Sequence, residues 1–271
     1  MMLINEGEQS ARVVALQILL NRKNKNRVVT DGTFGPLTSG AIDQVRGLLG
    51  ISTGPKGIAD PGLCRLLVEN AGLQWIDSVD VTDPSIVGDV EVPLSKWTTP
   101  IVLGGMSSGV AHLVKQIQTR ASKNKLMMLR LHGHGAPGIV AVSHGSRHLY
   151  TVEEKKNPFL DPFQAQSVIS LELMRTIKPL LEQLAPLFNN FGFVELHSCR
   201  VGLGPNGATF VQQLANVLGA PVRGALSKQH TDDIFTLTGE TLTAFPNGGR
   251  LLDWAKSREE SVRKEDLLMR K

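Results

Sequence analysis

From residue 7 to residue 70 the apolar positions recur at three- and four-residue intervals, the spacing of helices that bury one side. Val13, Leu16, Leu19 and Leu20 form the first stripe of an amphipathic helix. In TDGTFGPLTSGAIDQVRGLLG, Asp31-Gly32 and Gly35-Pro36 mark turns. Thr38 is placed to cap a helix starting near Ser39, whose buried stripe is Ala41, Ile42, Val45 and Leu48/Leu49. GIADPGLCRLLVEN adds a turn and a short last helix. The following DSVDVTDPSIVGDVEVPLSKW is polar and punctuated by proline, and 73–98 reads as a linker or an irregular entry into the next unit.

Beyond residue 99 the period changes. PIVLGG reads as a short strand, GVAHLVKQIQTRAS as a helix with Val110, Leu113, Val114, Ile117 and Ala121 on one face, and KLMMLRLH as a strand covered on both sides. IVAVSHGSRHLYTV reads as a hairpin, and ISLELMRTIKPLLEQLAPLF as a long helix interrupted near Pro179 or Pro186. GFVELHSC is a second central strand, GATFVQQLANVLG its following helix, PVRGALSK a third strand, and FTLTGETLTAF an edge hairpin or strand. Such alternation predicts an α/β fold with a mostly parallel central sheet between helices, whose sites gather at the carboxyl ends of the strands. The expected division is a helical domain over 1–72, the linker over 73–98, an α/β domain over 99–249 and a charged C-terminal helix over 250–271.

Composition adds little to this division. With 271 residues, 41% hydrophobic and 20% charged, the chain reads as an ordinary soluble globular protein with room for one small and one medium domain. Its two cysteines, Cys64 and Cys199, fall in different predicted domains, so no disulfide framework is expected. The N-terminus has no basic cluster followed by an apolar run, and no stretch is long enough to span a membrane. The expectation is synthesis in the cytoplasm without a Sec-type signal. The net charge of +4 is concentrated partly in Asn21–Arg27 and the tail, but no aromatic residues interleave with it, which argues against nucleic acid. An anionic cell-wall polymer would be attracted by the same charge.

Two strand ends carry chemistry. KLMMLRLHGHGAPG delivers His134 and Gly135 at one carboxyl end, and GFVELHSCRVG delivers Cys199 at another. A thiol is a strong nucleophile once deprotonated, and a neighbouring imidazole promotes this and can protonate a leaving amine. Gly135 lets the backbone approach a substrate carbonyl, so that its N–H could join that of Cys199 in an oxyanion hole. His132 competes with His134 for the role of base. His132, His134, His144, His148 and His197 with Cys199 also raise the question of a metal, but Ala136-Pro137 stand where further ligands would be needed, and none is expected. The glycine-rich HGHGAPG and GLGPNG lack the Gly-Lys-Ser/Thr of a phosphate loop, and no cofactor is expected.

Both halves of the chain resemble known families. GEQSARVVALQILL, DGTFGPLTSGAI and GIADPGLCRLL resemble the peptidoglycan-binding module of bacterial wall enzymes, a small three-helix bundle. Val45-Arg46 departs from the Phe-Gln usual late in its second helix. LHGHGAPG and VELHSCRVG, in this order on two apolar strands, resemble the caspase-like cysteine peptidases over residues 100–245. That likeness implies an α/β/α sandwich, His134 as general base, Cys199 as nucleophile and Gly135 as oxyanion donor, and its loop favours His134 over His132. The residue two before the cysteine, here His197, would help line the primary pocket. His197 with Arg200 suits an acidic or polar substrate residue, whereas Asp232 with Asp233 would suit lysine or arginine.

The two resemblances together imply a cysteine endopeptidase acting on a peptide or protein substrate at the bacterial wall, with peptidoglycan as a partner. They also suggest an exported antibacterial effector reaching the periplasm or wall and met there by an inhibitor or immunity protein. The alternatives are an amidase cutting peptidoglycan stem peptides with the same dyad, and an inactive caspase-like scaffold that only binds.

Overall fold

The computed structural model describes residues 3–24, 27–51, 54–104, 109–142, 167–231 and 234–268. Helices α1 (Ala11–Lys23), α2 (Pro36–Leu48) and α3 (Pro61–Asn70) come first. Ser10 starts α1 by accepting the Val13 N–H (3.3 Å), and Asp60 starts α3 by accepting those of Gly62 (2.7 Å) and Leu63 (3.2 Å). In α2 the cap is Gly35 with Pro36 in the first turn, not Thr38, which lies buried inside the helix.

The α1 helix is not one-sided: every residue from Ala11 to Leu20 is buried. It touches α2 and α3, and also strand β7 (Phe188–His197) and the C-terminal helix α7 (Leu251–Leu268), so no face remains for water. Its two polar residues in this stretch are both bound. Gln17 holds the Asp31–Thr33 turn, donating to Asp31 Oδ1 (2.9 Å) and the Thr33 carbonyl (3.1 Å) and accepting from the Gly32 N–H (2.9 Å). Gly32 has φ +78°, and a Cβ there would fall 2.9 Å from side-chain atoms of Val14 and Leu251, so the turn fits tightly beneath α7.

The remaining strands are β1 (Gln74–Asp80), β2 (Ile101–Leu103), β3 (Leu126–His132), β4 (Gly135–Ala136), β5 (Ile139–Ala141), β6 (Val168–Ser170), β8 (Val222–Ala225) and β9 (Thr241–Ala244). Five of them and β7 form one mostly parallel mixed six-stranded sheet in the order β2-β1-β3-β7-β8-β9, with only β9 antiparallel to its neighbour. β4, β5 and β6 form a small antiparallel sheet beside it. The 73–98 stretch contains β1, an internal strand of the large sheet, and a short helical segment over residues 84–95. The reading of this stretch as a linker is corrected. β1 was hidden because Asp77, Ser78 and Asp80 are polar yet buried.

One sheet face packs against α4 (Gly109–Arg120), α5 (Met174–Leu181) and α6 (Gly204–Leu218) through residues such as Leu129, Leu131, Val194 and Leu196. On the other face, Met128, Phe191 and Phe193 share one core with α1, α2, α3 and α7. The long helix expected over 169–188 divides: Val168–Ser170 is β6, α5 starts at Met174, and 182–187 tighten into a 3₁₀ turn. Pro186 cannot continue an α-helix, because it lacks the N–H and its ring meets the carbonyl of residue 182. No helix among the described residues is long and apolar enough to cross a membrane.

Candidate active site

Three neighbouring parallel strands, β1, β3 and β7, deliver the candidate site from their carboxyl ends. The register pairs Val79 with His132 and His132 with His197. His134 and Cys199 each stand two residues beyond a paired histidine, just past the ends of these adjacent strands. Both line one cleft of about 150 Å³, together with Ser85, Ile86, Val90, His132, Gly133, His197, Gln229, His230, Thr231, Ile234 and Thr236.

His134 is exposed, and its Nε2 lies 2.9 Å from Asp83 Oδ2. Asp83 follows β1 and is fixed by its other oxygen, which accepts the Ser85 N–H (3.0 Å) and hydroxyl (2.8 Å). The Ser85 N–H and the His134 contact hold its carboxyl down at about 2, so it remains an anion throughout the neutral range. Sequence reasoning missed Asp83 because it sat inside the presumed linker. Its signal was Thr82-Asp83-Pro84, an Asp with proline behind it, which is the usual opening of a helix.

Cys199 is half-buried, and its Sγ accepts the Gln229 backbone N–H at 3.4 Å. Arg200, immediately after it, has φ +57°, a left-handed conformation that costs a non-glycine residue roughly 1–2 kcal/mol. Its N–H donates to the Ser227 carbonyl (2.9 Å), turning the chain out of β7 toward α6. Arg200 does not line the cleft. Gly135 packs against this turn: a Cβ there would fall 2.6 Å from Ser198 Cβ and 2.9 Å from Val201 Cγ2. Its glycine is thus required by the close approach of the β4–β5 hairpin. Asp232, Asp233, His144 and His148 lie outside the described residues. Among the described residues no group of three or more His, Cys, Asp or Glu side chains is arranged to hold a metal.

Beneath the cleft, the register places Asp77, Arg130, Glu195 and Arg223 in one row across β1, β3, β7 and β8, with alternating charge. Arg130 Nε donates to Asp77 Oδ1 (2.6 Å). Glu195 lies 3.7 Å from both Arg223 and Arg12, the latter reaching in from α1. Glu8 closes the network, binding Arg12 through both oxygens (2.5 and 2.7 Å) and Arg223 at 3.2 Å. Burial opposes ionisation of Asp77 and Glu195, but their partners together, led by Arg130 and Arg12 and joined by His132 and His197, outweigh it, and both carboxyls are held well below the usual range. Arg12 behaves in the same way: burial disfavours its charge, and Glu195 and Glu8 more than restore it.

His132 and His197 sit one row above and form the cleft floor, with ring centroids 4.6 Å apart. His132 Nε2 faces Asp77 (3.4 Å) and His197 Nε2 faces Glu195 (3.2 Å). Burial pushes both imidazoles down, His132 to about 3, with His197 and Arg130 adding to the effect on His132 and Arg130 to that on His197. His134 and His230, by contrast, stand exposed at the same cleft, and of the two His134 is the one paired with Asp83.

A larger hollow of about 370 Å³ lies at the open amino-terminal edge of β1, lined by Trp75, Thr98, Thr99 and Arg120 among others, away from these strand ends. Comparison of the chain with family models, with curated proteins and with solved structures gave no match.

Proposed function

We propose that the protein is a cysteine peptidase of caspase-like architecture, an α/β/α sandwich with a three-helix head, in which Cys199 is the nucleophile and His134 the base. The observation that supports this reading is that His134 and Cys199, each just beyond one of two adjacent paired strands, line one cleft. Asp83, an anion at His134 Nε2, fixes the tautomer with the proton on Nε2 and leaves Nδ1 to take the proton of the thiol. Attack of Sγ on a substrate carbonyl gives a tetrahedral oxyanion, with the N–H groups of Cys199 and Gly135 as its donors. His134 then returns the proton to the leaving amine, and a water activated by the same imidazole hydrolyses the thioester.

The likeness of the head to peptidoglycan-binding modules supports the wall as the place of action and peptidoglycan as a partner. An exported effector checked by an immunity protein is the biological setting this combination fits best. The test is incubation of wild-type protein and Cys199→Ala with a thiol-reactive activity probe, a mixed proteome and purified sacculi. Labelling and new protein fragments that depend on Cys199 are expected. Release of soluble muropeptides instead would move the substrate to peptidoglycan stem peptides. An unreactive Cys199 with no cleavage of either substrate would overturn the enzyme and leave a binding scaffold.

A further inference from the structure

The floor of the cleft states what side chain it can hold. His132 is buried and His197 nearly so, their rings lie tilted against each other, and both turn Nε2 down toward an ionised carboxylate in the row below. A carboxylate can only accept, so the proton of each neutral ring sits on Nε2. The two nitrogens of an imidazole point in nearly opposite directions. With Nε2 taken by the carboxylate below, Nδ1 is the acceptor each ring has left, and both rings line the cleft that Gly133, His134 and Cys199 rim. Neither ring makes another hydrogen bond among the described residues. The floor therefore offers two lone pairs and no proton.

Charge narrows the choice. Behind the histidines, the carboxylates of Asp77, Glu195 and Glu8 are matched by the guanidinium groups of Arg130, Arg12 and Arg223. The floor thus presents acceptors without an uncompensated negative charge. A substrate carboxylate would meet two lone pairs with anions behind them. An ammonium or guanidinium would lose its hydration without gaining a counter-ion from this floor. Ile86, Val90 and Ile234 wall the cleft with apolar surface, which suits a side chain with a short aliphatic stem.

Resting on the peptidase reading, we infer that the residue on the acyl side of the scissile bond is a carboxamide, glutamine or asparagine, whose amide N–H groups donate to Nδ1 of His132 and His197. Sites built to bond a substrate N–H reject the isostere lacking it by large factors, so Gln over Glu is expected to reach about 100-fold or more in kcat/KM, and Gln over Met about 10-fold.

The experiment is digestion of a proteome-derived peptide library by the full chain, with Cys199→Ala as control, reading the residue before each new amino terminus. Matched peptides differing only by Gln, Glu, Met, Asn, Asp, Leu or Lys at that position then give the ratios. Cys199-dependent cuts after Gln or Asn are expected. Cuts clustering after Asp or Glu, after Lys or Arg, or after aliphatic residues would overturn the carboxamide pocket and leave the peptidase standing. Absence of any Cys199-dependent cut, with Cys199 inert to thiol probes, would overturn both.

Discussion

Arg12→Met removes the guanidinium through which the helical head enters the charged row of the sheet while keeping most of the side-chain volume. In the wild type, Arg12 and Glu195 are almost fully buried, with side-chain exposures of 3% and 1%. The substitution leaves Glu195 with Arg223 at 3.7 Å and His197 at 3.2 Å, and Glu8 with Arg223 at 3.2 Å and the Ser10 hydroxyl at 2.6 Å. It also strips the Phe235 carbonyl of the bond it accepts from Arg12 (3.2 Å). Removing one partner of a buried ion pair costs about 3–5 kcal/mol, and since Arg223 still serves both acids, about 3 kcal/mol is expected here.

The pH dependence separates this mechanism from simple loss of packing. In the folded wild type, burial would raise the Glu195 carboxyl, but Arg12, the strongest of its partners, together with His197 and Arg223 outweighs it, and the carboxyl is held below its ordinary value. Its contribution to stability is therefore complete above the ordinary glutamate range, and is lost as pH falls through the low folded value. Without Arg12, burial dominates and the folded carboxyl rises, so the variant takes up a proton where the wild type does not. The difference in stability between the two proteins is thus largest near neutrality and shrinks toward pH 5. Urea denaturation of both proteins at pH 7.5 and pH 5, with equal m-values, measures it. A loss below about 1 kcal/mol at pH 7.5, the range of an exposed pair, would refute the argument, as would an equal loss at both pH values. Glu195→Gln added to Arg12→Met should restore part of the loss by removing the orphaned charge.

Two further substitutions address the cleft. Asp83→Asn removes the anion that orients His134, and kcat/KM should fall about 10- to 100-fold with stability nearly unchanged, because the pair is exposed; an unchanged rate in a peptide-cleavage assay would remove Asp83 from the mechanism. Gly135→Ala places a methyl 2.6 Å from Ser198 Cβ, and should cost about 1–3 kcal/mol in urea denaturation and depress activity by displacing the turn that carries Cys199, whereas a wild-type melting curve would show that the hairpin yields freely.

The strands leading to His134 and Cys199 were legible because each is an apolar run closed by chemistry-bearing residues, and the sheet pairs these two strands directly. What stayed hidden did so because it depends on tertiary partners. β1 reads as polar since Asp77 is paired with Arg130, which lies 53 residues further along the chain, a partner no local pattern reveals. α1 reads as one-sided because Arg12 and Gln17 interrupt its apolar run. In the fold both are buried, one against Glu8 and Glu195 and the other against the Asp31–Thr33 turn. His132 and His134 share a strand face by alternation, and only depth distinguishes them: one is sealed against Asp77 and the other stands in solvent.

The same buried row bears on how the head and the sheet relate. Arg12 belongs to α1, yet it touches Glu195 of β7 and the carbonyl of Phe235. Phe235 lies within the segment between β8 and β9 that also supplies Gln229, the donor to Cys199 Sγ, and Ile234, a wall of the cleft. Its ring packs edge-on to Trp97 (6.4 Å) and faces the Arg130 guanidinium (5.6 Å). A helix that only tethered the protein to a surface would not need a buried charge at this point. Because α1 also shares one hydrophobic core with Met128, Phe191 and Phe193, deleting the head would expose that sheet face and leave Glu195 short of a partner. The head is therefore a structural part of the cleft's support, whatever it binds on its outer surface.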